Sequence, residues 1–163
     1  MRHKVGALLL AGLCGLVQAQ TLQGTVTRIS DGDTLWIATS PTTKPIKLRL
    51  QGIDAPEICQ PWGKQAKEAL QARLLRQTVR ADVKARDDYA RRVVRLSYQG
   101  EDVGAWLVSQ GHAWSYRGRW NAGLYAKEQA SAKQRKLGLW LAAGADQGIE
   151  PRVWRKQRGP CKP

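Results

Sequence analysis

The chain has 163 residues, 27 of them Lys or Arg against 13 Asp or Glu, giving a formal charge of +14. That length is one domain's worth and buries enough surface for a core without depending on disulfides. So basic a chain excludes a polycationic partner and points to a polyanion, although its long-range field does not tell nucleic acid from anionic lipid or acidic glycan.

Met1, Arg2, His3 and Lys4 precede an apolar run from Val5 to Val17 that closes on Val17-Gln18-Ala19. This charged, apolar, small-residue order is that of a secretory signal, with cleavage expected after Ala19. The run is too short, and too broken by Gly6, Gly12 and Gly15, to be a membrane anchor. Residues 20–163 are therefore expected as one exported domain, secreted or periplasmic, with a basic tail from about residue 141. Removing Arg2 and Lys4 with the leader leaves 25 basic against 13 acidic residues, so the polyanion argument survives maturation.

Residues 21–37 read as strand, turn, strand, with Asp31-Gly32-Asp33 between β-branched and apolar runs. Residues 46–50 alternate apolar and basic side chains as a half-buried strand does, and Asp54-Ala55-Pro56-Glu57 stops that segment. Between 62 and 76, Ala66, Ala69, Leu70, Leu74 and Leu75 recur at helical spacing. Strands are expected over 79–85 and 92–98, joined by the charged turn Asp87-Asp88-Tyr89-Ala90-Arg91. A second helix is expected from near Asp102 to before Gly111, and a third over about 124–137, capped by Gly138. Early strands and late helices suit an α+β domain. Five short strands with a helix after the third suit an OB-fold β-barrel with about three α-helices.

Three segments carry candidate chemistry: Asp31-Gly32-Asp33-Thr34, Arg49 with Asp54-Ala55-Pro56-Glu57, and Asp87 to Arg91. Taken singly they are a hairpin turn, a Pro-terminated loop and a solvated turn. Those readings leave unexplained why so basic a protein sets Asp33, Asp54 and Glu57 beside basic strands, where they would repel a phosphate backbone. A bound cation reverses that repulsion. The donors on offer are oxygens, which disfavours zinc and suits a hard cation, calcium more than magnesium because ligands drawn from separate loops are irregular. His112, without a partner set, reads as structural.

Cys59 and Cys161 remain once Cys14 leaves with the leader, and an even pair in an exported protein predicts a disulfide. Seven tryptophans with no phenylalanine are read mostly as core, with Trp114 and Trp120 open as base-stacking platforms.

Taken together, the chain resembles the staphylococcal nuclease family. The resemblance rests on the Asp-Gly-Asp-Thr hairpin, Arg49 followed by Asp54-x-Pro-Glu57, Asp87-x-Tyr89-x-Arg91, Leu107-Val108-x-Gln110-Gly111 and Leu137-Gly138-Leu139-Trp140. It implies a calcium-dependent nuclease that cuts DNA and RNA with little sequence preference and leaves 3'-phosphate ends. It further implies that Asp33, Asp54 and the Ala55 carbonyl hold one Ca2+, that Asp31 supports these ligands from behind, and that Glu57 reaches the ion through water and serves as base. Arg49 and Arg91 would face the scissile phosphate, Tyr89 would lie near a terminal phosphate, and Tyr116 is the nearest match to a base-stacking tyrosine. Ala55 and Ala90 stand where the best-known member has threonine and glycine. A non-catalytic OB-fold module gripping single strands, and a basic adhesin for anionic glycan or lipid, are the alternatives.

Overall fold

The computed structural model describes residues 20–118, 121–141, 148–159 and 161. In chain order the strands are β1 (Thr21–Ile29), β2 (Thr34–Ala38), β3 (Ile46–Leu50), the two-residue β4 (Ile53–Asp54), β5 (Thr78–Arg86), β6 (Arg92–Tyr98), and the short β7 (Glu101–Asp102) and β8 (Trp114–Ser115). The helices are α1 (Gly63–Leu74), α2 (Val103–Ser109), α3 (Ala126–Gln134) and α4 (Pro151–Arg158).

The five long strands run in the order β3-β2-β1-β5-β6, each antiparallel to its neighbour, and β6 returns to lie parallel to β3. That last pairing, Leu48 opposite Arg92 and Leu50 opposite Val94, closes the barrel. Closure removes the open edges that a five-stranded sheet would otherwise expose. The fold is α+β, a five-stranded OB-type barrel with helices packed around it.

Period-two alternation decides which side chains face inward. Along β1 the buried Gly24 and Val26 follow that alternation, a register shift between Val26 and Arg28 turns Ile29 inward in place of Arg28, and Val26 and Ile29 join Leu35, Leu48, Leu50, Val94 and Leu96 in one core. Leu70 and Leu74 of α1, with Val103, Leu107 and Val108 of α2, extend the same core. The Asp102 side chain caps α2 by accepting the Ala105 N–H at 3.0 Å. Such a cap satisfies one of the amide donors that a helix start leaves without an intrahelical partner.

Both helices expected over 62–76 and 124–137 are shorter than their apolar patterns, at Gly63–Leu74 and Ala126–Gln134. Leu75 turns to extended backbone (φ -59°, ψ 128°) and ends α1, and Lys136, just past the cap of α3, takes left-handed backbone with a φ of 52°, which a right-handed helix cannot continue through. A separate 3-10 turn, Gly138–Trp140, follows α3.

Within the basic tail, Pro151–Arg158 form a helix that sequence analysis did not anticipate. Pro151 stands at the first position of α4, where its missing N–H costs nothing, and Trp154 is buried. Cys59 and Cys161 are joined by a disulfide with their Cα atoms 5.7 Å apart. Gln60, itself buried, donates from its side-chain amide to the Ile149 carbonyl at 2.7 Å. Among the described residues no helix is long and apolar enough to cross a membrane. The expected leader, residues 1–19, lies outside the described residues.

Candidate active site

Strand register gathers residues that are far apart in sequence. Thr34 of β2 lies opposite Arg49 of β3, so Arg49 stands next to Asp33 at the end of the hairpin turn. The parallel pairing sets Arg49 opposite Val93 of β6, which brings the turn ending in Arg91 to the same rim. β4, held antiparallel to β8 through the pair Asp54–Trp114, carries Asp54 to that rim as well. The resulting cleft is lined by Asp31, Asp33, Arg49, Asp54, Glu57 and Arg91, with Tyr89, Ala55 and Arg155 completing it.

Two glycines let the loops close on one another. A Cβ on Gly32 would sit 2.7 Å from the Ala55 Cβ, and one on Gly63 would overlap the Glu57 carbonyl oxygen. Neither contact is tolerable for a larger residue, so the hairpin turn, the Glu57 loop and the start of α1 pack tightly only because both positions are bare.

Asp33 is buried and fully engaged. Its carboxylate accepts the Thr34 hydroxyl at 3.0 Å and the Ala55 N–H at 2.9 Å, and it pairs with the Arg49 guanidinium. Burial raises its pKa, but the Arg49 charge and the Ala55 hydrogen bond outweigh this and hold it below the usual carboxylate value. Asp31 accepts the Asp33 N–H at 3.0 Å. Burial, followed by the Asp33 charge, pushes the Asp31 carboxyl up to about 7. Burial likewise raises Asp54, against the pull of Arg49, which reaches Asp54 Oδ1 at 3.1 Å.

Asp87 organises the neighbouring turn. Its Oδ1 accepts the Tyr89 and Arg91 N–H groups, each at 3.0 Å, and its Oδ2 accepts Arg91 Nε at 2.7 Å. The Arg91 guanidinium lies 5.2 Å from the centre of the exposed Tyr89 ring. Ala90 between them has a φ of 57°, the left-handed region in which glycine alone is unstrained.

Arg155 is the residue that sequence reasoning missed. From α4 it donates to Glu57 Oε1 at 2.7 Å and to Asp54 Oδ2 at 3.2 Å. The only signal that could have pointed to it was the Cys59–Cys161 pairing, which brings the basic run to the loop just past Glu57. Gln60 was missed too; it accepts the Glu57 N–H at 3.2 Å and ties that loop to the tail.

Not every candidate reaches the cleft. Tyr116 is exposed and lines a small adjoining depression with Trp114, Arg117 and Pro151 that shares only Asp54 with it. Trp114 is 5% exposed and packs edge-on against Trp140 at 5.3 Å, so it offers no face for a base. Trp120 lies outside the described residues. His112 accepts the Trp62 indole N–H at 3.2 Å and sits between the Trp62 and Trp106 rings, away from the cleft.

The donors fit a hard cation in kind: two buried carboxylates from different loops, Asp33 and Asp54, with the adjacent Ala55 backbone and the half-buried Glu57. Among the described residues no three His, Cys, Asp or Glu side chains converge into a ready-made cage, so carbonyl and water oxygens would have to complete the coordination.

A closed OB-type barrel with carboxylates and arginines converging on one rim cleft suits a hydrolase of phosphate esters, with groups for a cation and for phosphate oxygens side by side. The model of the family described as staphylococcal nuclease homologue matches residues 47–142. An uncharacterized endonuclease of Haemophilus influenzae is 38% identical over 133 residues, covering 81% of this chain and 72% of the relative. A micrococcal nuclease of Shigella flexneri is 36% identical over 146 residues, covering 82% and 80%. A probable endonuclease of Pyricularia oryzae is 32% identical over 166 residues, covering 80% and 65%. The chain belongs to the staphylococcal nuclease family and is a nuclease.

Proposed function

We propose that the protein is an exported, calcium-dependent nuclease that hydrolyses phosphodiester bonds of DNA and RNA with little sequence preference and leaves 3'-phosphate ends. The observation that carries this reading is the convergence of Asp33, Asp54, Glu57, Arg49 and Arg91 on one cleft of a strongly basic protein.

In this reading Asp33, Asp54 and the Ala55 carbonyl hold the cation, and Asp31 steadies Asp33 through its backbone N–H. Bound calcium would supply fixed positive charge opposite the phosphoryl oxygens. Glu57 takes a proton from a water that attacks phosphorus. As the pentavalent transition state forms, Arg49 and Arg91 meet the charge that develops on its equatorial oxygens. Their planar forks can each hold two oxygens, which a lysine cannot do. Arg91 is pinned by Asp87 through Nε, leaving its terminal nitrogens for the phosphate. The bond from phosphorus to the 5'-oxygen breaks, the leaving oxygen takes a proton from solvent, and the phosphate stays on the 3' side. Tyr89, exposed at the mouth of the cleft, is placed to border a terminal phosphate.

Export is supported by the residue order of the leader and by the Cys59–Cys161 bond, since such bonds persist mainly in oxidising compartments. End-group analysis of digested single-stranded DNA tests the proposed bond choice. Ends that a phosphatase must treat before a polymerase extends them agree with 3'-phosphates; directly extendable 3'-hydroxyls overturn that assignment.

A further inference from the structure

The tail contributes a third arginine to the cleft, and three independent contacts fix the segment that carries it. Cys161 is bonded to Cys59, two residues past Glu57. Gln60 binds the Ile149 carbonyl, and Trp154 is buried on the face of α4. One residue beyond Trp154, Arg155 spans Asp54 and Glu57 with both terminal nitrogens. Its side chain is still 41% exposed, at the edge of the cleft rather than its floor.

The charge balance gives this placement meaning. Arg49 and Arg91 face Asp31, Asp33, Asp54 and Glu57 on the lining, a set that repels a phosphate chain on its own. Arg155 reduces that repulsion through its contacts with Asp54 and Glu57 and carries a fork suited to phosphate oxygens. We propose that Arg155 is a substrate-binding residue that grips a phosphate of the chain beside the scissile one, and that it competes with the cation for the Asp54 and Glu57 oxygens. This rests on the reading of the cleft as a cation-dependent phosphodiesterase site. The contacts with Asp54 and Glu57 are the resting position of the side chain, and its rotation onto the polynucleotide frees those oxygens.

The test uses the full mature chain and three variants, Arg155→Gln, Arg155→Lys and, as a control for lost charge on the same helix, Lys156→Gln. Thermal melts establish that each is folded. Steady-state cleavage of single-stranded DNA should show KM raised about tenfold in Arg155→Gln with kcat little changed, the worth of one partly exposed charge-assisted contact. Arg155→Lys should fall between, and Lys156→Gln should match the parent. Calorimetric titration with Ca2+ alone, without nucleic acid, should show binding tightened by roughly two- to fivefold in Arg155→Gln, the range for losing a partly exposed competing ion pair. A KM no higher than that of Lys156→Gln overturns the substrate role, and a loss confined to kcat overturns it equally. Unchanged Ca2+ affinity overturns the competition. If the parent chain itself binds no Ca2+, the reading of the cation site fails, and the KM comparison still decides whether Arg155 holds substrate.

Discussion

Arg49 bridges Asp33 of the hairpin turn and Asp54 of β4, one guanidinium joining two buried carboxylates from separate segments. These contacts raise the Arg49 pKa against the effect of its burial, so it stays charged throughout the working range. The same side chain therefore ties the two proposed cation ligands together and, in the proposed mechanism, presents positive charge to the phosphate.

Arg49→Lys and Arg91→Lys keep the charge and lose the fork. Each is expected to lower kcat by roughly 100-fold or more, the scale of a single contact to a developing oxyanion, with the melting transition nearly unchanged for Arg91. Glu57→Gln is expected to lose turnover while still binding single-stranded DNA. Steady-state kinetics with a parallel binding assay checks all three; near-normal turnover removes that residue from the catalytic set.

The disulfide closes a loop with a sequence separation of 102 residues. Cross-linking ends that far apart restricts the unfolded chain by up to about 4.7 kcal/mol in the loop-entropy treatment, less any native strain. Cys161→Ser is therefore expected to lower the denaturant midpoint and, by loosening α4, to raise KM as Arg155→Gln does. A variant with parental stability and KM would show that α4 is held by Trp154 and Gln60 without the bond.

His112 makes stability depend on pH in a defined direction. Burial holds its pKa below the ordinary histidine value, and Nδ1 must stay unprotonated to accept the Trp62 indole N–H. The folded protein thus binds fewer protons at this site than the unfolded chain between the two pKa values. The stabilisation is complete above the unfolded value near 6.5 and is lost as pH falls through the lower folded one. Over the same window the raised Asp31 carboxyl takes up a proton in the folded state and acts in the opposite direction, so the His112 contribution is read as a difference: from pH 7 to pH 5 the melting temperature of the parent should fall relative to that of His112→Gln. Parallel pH profiles in the two proteins would show that His112 carries no part of the pH dependence.

The barrel and most of its rim were legible because both obey short-range rules. Alternation in residues 46–50 and the Asp-Gly turn after Arg28 and Ile29 locate β1 to β3, and the motif residues Asp33, Arg49 and Asp54 lie within two strands of one another. Helix ends were less legible, because extended backbone at Leu75 and left-handed backbone at Lys136 stop helices that their apolar spacing would continue. Arg155 was invisible for a different reason. It meets Glu57 across a sequence separation of 98 residues, inside a tail whose charges look like any solvated basic run until Trp154 and Cys161 anchor it. Tyr116, the nearest match to a base-stacking tyrosine, follows β8 and lines the adjoining depression beside Asp54.

The central claim, hydrolysis at this cleft with calcium, is tested most directly by incubating the mature protein with end-labelled single-stranded DNA in Ca2+, in Mg2+ and in chelator, beside Glu57→Gln. Oxygen ligands on separate loops tolerate the irregular coordination of calcium better than the strict octahedron of magnesium. The account predicts rapid cleavage in Ca2+, far slower cleavage in Mg2+, none in chelator and almost none by Glu57→Gln. Cleavage that survives chelation, or that runs as fast in Mg2+ alone, would contradict it.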